Sequence, residues 1–110
     1  MSKYNAKKTM VDGIKFDSKK ESIRYKQLKE MEHEKLIEDL ELQPKFVLQP
    51  KFDKNDIHYR AITYKADFKY YDKEQKKIII EDVKGMKTDV YKLKKKLFEY
   101  KFKNFEIKEI

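Results

Sequence analysis

The sequence predicts an α/β domain with the core order α-β-β-β-α-β, a mixed four-stranded sheet with helices on both faces. Three observations predict it. A capped helix signal precedes the strong strand signals. Two segments of alternating character, Arg60–Tyr71 and Lys77–Lys84, are joined by a short polar turn, which marks an antiparallel pair. A second helix signal then separates this pair from a last alternating segment, Phe105–Ile110. Such a β-α-β passage implies a right-handed crossover to a parallel neighbour, and the two helices then cover the two faces of a mixed sheet.

Each element has its own justification. Residues 1–16 are basic and weakly periodic, and read as an N-terminal arm or an ordered loop around Gly13. Ser18-Lys19-Lys20-Glu21 fits a capping box, and a charged helix follows to about Glu34 with Tyr25, Leu28 and Met31 as its apolar stripe. Ile37–Leu42 alternates apolar and acidic residues, as a short strand does. Pro44 and Pro50 bracket Phe46-Val47-Leu48, an extended piece that proline confines to an edge or bend. Residues 53–58 read as loop. In the strand Arg60–Tyr71, Ile62, Tyr64, Ala66, Phe68 and Tyr70 alternate with Thr63, Lys65, Asp67, Lys69 and Tyr71. Asp72–Lys77 is the turn and Lys77–Lys84 the return, ended by Gly85. Thr88 caps a helix over about Asp89–Lys103, with Val90, Leu93 and Leu97 as the expected buried stripe and Tyr91 and Phe98 beside it.

Composition narrows the function classes. A chain of 110 residues is one domain with one modest core. Its net charge of +8 and pI of about 9.4 favour a polyanionic partner. Charged residues make up 44%, but eight tyrosines, seven phenylalanines and periodic apolar runs argue for a folded chain. The absence of cysteine excludes disulfides and thiolate-bound zinc. His33 and His58 are too few for a histidine metal site. No apolar run reaches membrane-spanning length and no signal-peptide core follows the N-terminus. The expectation is a soluble intracellular protein with no membrane partner.

The chemistry concentrates on the hairpin. A four-residue loop, Lys73–Lys76, pairs Asp72 with Lys77. Asp67 then lies opposite Asp82, Lys65 opposite Lys84, Phe68 opposite Glu81 and Tyr70 opposite Ile79. A slip of one residue would send Lys84 to the far face. The chosen register keeps Ile79 and Val83 with the apolar residues of the partner strand. It also sets two carboxylates about 5 Å apart at Cβ, an arrangement that calls for a cation between them. Asp82 and Lys84, two apart, share a face. Two acids and an ammonium on one face can hold a hard metal ion and steer a water. In so basic a chain the expected target of that water is a phosphodiester.

Helix geometry adds Glu21, which falls within about 60° of Tyr25 and Leu28 at 100° per residue. It can face the metal, or it can close the capping box; both roles stay open. Lys92 and Lys96 lie away from the second helix's stripe, while Lys94 projects towards the Val90–Phe98 side. Lys94 can snorkel or reach a phosphate near the metal. Lys7 and Lys8 read as part of a DNA-gripping arm or a tail.

At this point the chain resembles the PD-(D/E)XK nuclease superfamily, and within it the small phage-encoded endonucleases related to Holliday-junction resolvases. The resemblance rests on Lys3-Tyr4-Asn5-Ala6-Lys7-Lys8-Thr9, Gly13-Ile14-Lys15-Phe16-Asp17-Ser18-Lys19-Lys20-Glu21, Tyr64-Lys65-Ala66-Asp67-Phe68 and Glu81-Asp82-Val83-Lys84-Gly85, in the family's order. The proline that names the superfamily motif is absent, since Lys65-Ala66 precedes Asp67; that proline has no chemical role. The resemblance implies a restriction-endonuclease-like fold and a Mg²⁺-dependent DNA endonuclease in which Mn²⁺ substitutes, acting in phage recombination or replication in the cytoplasm of a bacterial host. It implies metal ligation by Asp67, Asp82 and the Val83 carbonyl, with Glu21 binding directly, through water or at a second metal. Lys84 would orient the attacking water and stabilise the phosphorane-like transition state. Action on two strands would need a homodimer.

A second class remains, a non-catalytic nucleic-acid-binding module whose acids only form salt bridges. Both classes predict salt-sensitive DNA binding. Only the nuclease predicts metal-dependent strand scission.

Overall fold

A computed structural model describes residues 9–83 and 87–110. Its elements are β1 (Thr9–Val11), β2 (Ile14–Phe16), α1 (Lys19–His33), β3 (Ile37–Leu42), β4 (Lys45–Gln49), β5 (Phe52–Lys54), β6 (Ile57–Tyr59), β7 (Ile62–Lys65), β8 (Phe68–Asp72), β9 (Lys77–Asp82), α2 (Asp89–Lys101) and β10 (Phe105–Glu109). The protein is α/β, with a mixed four-stranded sheet in the order β10-β9-β8-β3 and two helices. β10 runs parallel to β9, as the crossover expectation requires, and the other two pairings are antiparallel. Taken alone, this sheet and its helices follow the order α-β-β-β-α-β.

The hairpin register is the expected one. Phe68 pairs with Glu81, Tyr70 with Ile79 and Asp72 with Lys77. The loop is held by Asp72, whose carboxylate accepts from the amides of Glu74 and Gln75 at 2.9 and 3.0 Å and whose carbonyl accepts from the Lys76 amide. The expected single strand Arg60–Tyr71, however, is two. The chain leaves the main sheet at Ala66–Asp67, and its first half, β7, pairs with β4 in a separate ribbon. Long-range hydrogen bonds make the bend: Ala66 N to Pro44 O, Gln43 N to Asp67 O and Asp67 N to Glu81 O. Lys65 pairs with Lys45, and its expected partner, Lys84, lies outside the described residues.

Two apolar layers flank the sheet. On one side α1 packs Tyr25 and Leu28 onto Phe68, Tyr70 and Ile79, with Phe16 and Ile37 closing the edges. Residues 9–16, expected as a basic arm or loop, instead form the β1–β2 hairpin, which rests on α1 and turns at Asp12 and Gly13, both with positive φ. On the other side α2 packs Tyr91 and Phe98 onto Phe46, Tyr64, Ala66 and Ile80. The stripe expected to be buried there, Val90, Leu93 and Leu97, is exposed (62%, 59% and 38%). The reason is the partner surface. Phe46, Tyr64 and Phe105 present rings, and the arc Tyr91–Phe98–Phe102 meets them edge-on and stacked, where large aromatic side chains bury the most area.

The expected loop at 53–58 is also ordered. β5 and β6 form a hairpin closed by Asn55 and Asp56, both with positive φ (52° and 62°), the residues that a two-residue turn of this hand favours. No described helix is long and apolar enough to cross a membrane.

Candidate functional site

The acids meet where β9 leaves the sheet. Strand β9 is buried on both faces through Asp82, so its side chains alternate between two covered layers. Ile79 and Glu81 face α1, while Ile80 and Asp82 face the α2 side. A carboxylate with 1% exposure needs partners. For Asp82 one is the hydroxyl of Tyr64, which donates to Oδ2 across the two ribbons. Burial first, then this hydrogen bond and the Asp82 charge, hold the Tyr64 hydroxyl far above its usual proton affinity. It therefore stays a donor at every working pH.

Asp67 sits at the bend, one position past the end of the ladder. Its backbone amide donates to the Glu81 carbonyl, and its Oδ2 accepts from the Val83 amide at 2.6 Å. The bend and the strand end are thus tied twice, through backbone and through carboxylate. Asp67 and Asp82 are brought to the same end of the sheet, with Val83 between them.

Glu21 completes the cluster from α1. The Ser18 hydroxyl caps the helix by accepting from the Glu21 amide at 3.1 Å. The reciprocal half of the capping box is absent: among the described residues the Glu21 side chain makes no hydrogen bond to the cap. It turns inward instead, with 5% exposure, and its Oε2 is buried without a hydrogen-bond partner. Its pKa is pushed up to about 7. Burial is the largest cause, followed by the charges of Asp67, Asp17 and Asp82, with Lys65 opposing. The carboxyl thus senses three other acids at once, and in the absence of a cation its charged form is poorly accommodated.

Among the described residues no three acid or histidine side chains stand as a finished metal cage. Asp82 is turned to Tyr64 and Asp67 to the Val83 amide. The donor set still suits a hard cation. Carboxylate oxygens match Mg²⁺ and Mn²⁺, and Mg²⁺ keeps most of its water and asks for only one or two carboxylates. The buried Oε2 of Glu21, without a hydrogen-bond partner, and the raised proton affinity of that carboxyl would suit a cation bound beside it.

Behind the cluster lies a pair that the sequence reading did not single out. Glu81, fully buried within the run Ile78–Asp82, accepts from Arg24 Nε at 2.7 Å and Nη2 at 2.6 Å, and from the Tyr70 hydroxyl. Arg24 is one turn beyond Glu21 on α1, so this bidentate pair bolts the helix carrying Glu21 to the strand carrying Asp82. The available signal was a charge inside an apolar strand run and an arginine three residues after Glu21, on adjacent helix faces.

The lysines divide. Lys94, with Lys65, Thr63 and Thr88, lines an open pocket of about 270 Å³ that includes Tyr64, the residue bonded to Asp82. Lys92 and Lys96 are exposed on the outer face of α2. Glu109, accepting from Tyr91 at 2.7 Å and from Lys87, is held down to about 2 by those hydrogen bonds and the nearby Lys95. Lys84, Lys7 and Lys8 lie outside the described residues.

The chain belongs to a family described as proteins of unknown function, DUF1064, whose profile matches residues 1–110. No curated protein and no solved structure matches it.

Proposed function

We propose that this protein is a Mg²⁺-dependent DNA endonuclease of the PD-(D/E)XK type, with a restriction-endonuclease-like fold. The observation that carries the reading is the convergence of Asp67 and Asp82 on one sheet end beside Glu21, whose buried Oε2 has no hydrogen-bond partner. Like charges buried together are unfavourable unless a cation is shared among them.

In this reading Asp67, Asp82 and the Val83 carbonyl hold the metal, and Glu21 contributes directly or through a water. Mn²⁺ can replace Mg²⁺. When bound, the ion lowers the pKa of a water and polarises the phosphoryl oxygen. The chain's own residues do the rest. Tyr64 fixes the rotamer of Asp82 by donating to Oδ2. The Val83 amide orients Asp67 by donating to its Oδ2. The Arg24–Glu81 pair holds α1 so that Glu21 stays at the strand end. Lys84 shares a strand face with Asp82 in the sequence pattern. There it would orient the attacking water and offset charge on the pentacoordinate phosphorus. Held near two acids, its ammonium form would be favoured, and its role would be electrostatic and not that of a neutral base. Lys65 and Lys94, which line one pocket with Tyr64, would hold phosphates flanking the scissile bond, and Lys92, Lys96, Lys7 and Lys8 would add charge for the longer path of the DNA.

We assign the activity to phage recombination or replication in a bacterial cytoplasm, with a homodimer where two strands are cut. One observation favours a second reading, a nucleic-acid-binding module without catalysis: both aspartates already have hydrogen-bond partners. Incubation with supercoiled, linear and four-way-junction DNA, with and without Mg²⁺, separates the two. Scission that EDTA abolishes supports the nuclease. Salt-sensitive binding with no scission in Mg²⁺ or Mn²⁺ supports the module.

A further inference from the structure

The β5–β6 hairpin is ordered, yet it has no visible role in the fold. All six of its strand residues are exposed. Among the described residues no other element packs substantially against it. A two-stranded hairpin on its own is marginal in water. This one is held by a favourable turn at Asn55-Asp56 and by one ring contact, Phe52 stacked on Tyr59 with centroids 4.7 Å apart and planes 11° from parallel.

Its two faces differ. Pairing of Phe52 with Tyr59 and Lys54 with Ile57 puts these four side chains on one face. That face is two rings, an isoleucine and one cation. The other face carries Asp53 bonded to His58 at 2.5 Å. Lys51 and Arg60 flank the base of the hairpin and share an open cleft with both rings and with the Asp53–His58 pair. Among the described residues no ion pair engages Lys51, Lys54 or Arg60, so these charges are available to an outside anion.

The geometry points to this wing as a binding platform for unpaired bases of single-stranded DNA, the rings stacking on a base and Lys51, Lys54 and Arg60 holding its phosphates. The inference rests on the nucleic-acid reading above and adds a substrate class to it, DNA with a single-stranded segment beside the cut. The chemistry selects against plain duplex. In a duplex the base faces are covered by their neighbours, and base edges are read by hydrogen-bonding groups in the grooves. The wing's aromatic face offers few of these. An aromatic platform beside cations is the arrangement that takes single strands without sequence preference, because every base has a π-face. The wing is also within reach of the acids. Tyr59 is five residues from Tyr64, which donates to Asp82, so no more than roughly 18 Å of chain separates the two.

The test is anisotropy in EDTA with labelled 12-nucleotide single strands and 12-base-pair duplexes. The double variant Phe52→Ala/Tyr59→Ala should bind the single strand about tenfold more weakly or worse, the loss expected when a base loses its platform. Its duplex affinity should stay within about twofold of wild type. A second variant, Lys54→Ala/Arg60→Ala, leaves the ring stack intact. It should reduce the slope of log affinity against log salt on the single strand by about 1.4. An unchanged melting temperature checks that the domain is folded, as the wing's isolation requires. Wild-type single-strand affinity in both variants overturns the proposal, as does an equal loss on single strand and duplex. Selective loss on the single strand supports the wing even if Mg²⁺ elicits no cleavage, in which case only the nuclease reading fails.

Discussion

Replacing Glu21 by Gln should make the protein more stable in alkaline, metal-free buffer. The carboxyl is buried, its Oε2 lacks a partner, and its pKa moves from 4.5 to about 7. A folded pKa above the unfolded one means that the folded state takes up the proton more readily. The burden of the buried charge is therefore absent below about pH 4.5. It grows as pH rises through the window and is complete above about pH 7. At about 1.4 kcal/mol per pH unit the full burden is on the order of 3 kcal/mol. Stability of the wild type should fall by that order between pH 4.5 and 7.5 relative to Glu21→Gln. In melting temperature this is on the order of 10 °C at pH 8 for a domain of this size. The assay is thermal unfolding from pH 4.5 to 8.5 in EDTA, repeated in Mg²⁺. Mg²⁺ should stabilise the wild type more at pH 8 than at pH 5, because only the ionised cluster attracts it, and should stabilise Glu21→Gln less. Parallel stability profiles for the two proteins in EDTA would refute the reasoning, as would a variant less stable than wild type at pH 8.

Three further outcomes are expected. Arg24→Ala strands the buried Glu81 charge and should cost about 3–5 kcal/mol in denaturant unfolding, whereas Arg24→Met/Glu81→Leu should recover most of it. Asp82→Asn should abolish DNA cleavage while retaining or strengthening DNA binding, measured by gel shift, because one negative charge is removed from the site the phosphates approach in an otherwise basic protein. Lys84→Ala should slow single-turnover cleavage at saturating Mg²⁺ by about 10²-fold or more with little loss of binding, and Lys84→Arg should rescue poorly because a planar fork does not occupy the place of a compact ammonium.

The legible parts of this fold are those decided by local chemistry. The register of β8 on β9 follows from a four-residue loop anchored by Asp72 and from the need to keep Ile79 beside Tyr70. Ser18 and Thr88 announce the helix starts, and both hydroxyls accept from the amide three residues on. Parallel β10 follows from the intervening helix. The illegible parts depend on partners distant in sequence. The bend at Ala66–Asp67 has no glycine or proline to mark it and is imposed by Gln43 and Pro44. The face that α2 buries is not legible from periodicity, which weighs Val90, Leu93 and Leu97 equally with Tyr91 and Phe98, while the ring-lined partner surface selects the aromatics. The wing had a readable signal, Phe-Asp-Lys and Ile-His-Tyr around Asn55-Asp56, which the charged surroundings obscured. At the candidate site, the Phe68–Glu81 pair that Asp67 and Asp82 adjoin was readable. Their hydrogen bonds to the Val83 amide and to Tyr64 were not, since Tyr64 reaches Asp82 only because the strand breaks between them.

The central claim is that the acids at the end of β9 hold a hydrolytic metal. Its most direct test is single-turnover cleavage of DNA bearing a single-stranded segment, by wild type and by Asp67→Asn/Asp82→Asn, in Mg²⁺ and in EDTA. The account predicts scission by the wild type in Mg²⁺, none in EDTA and none by the variant, with the variant folded and still bound to DNA. Absence of wild-type scission in both Mg²⁺ and Mn²⁺, or scission that persists in the variant, would contradict it.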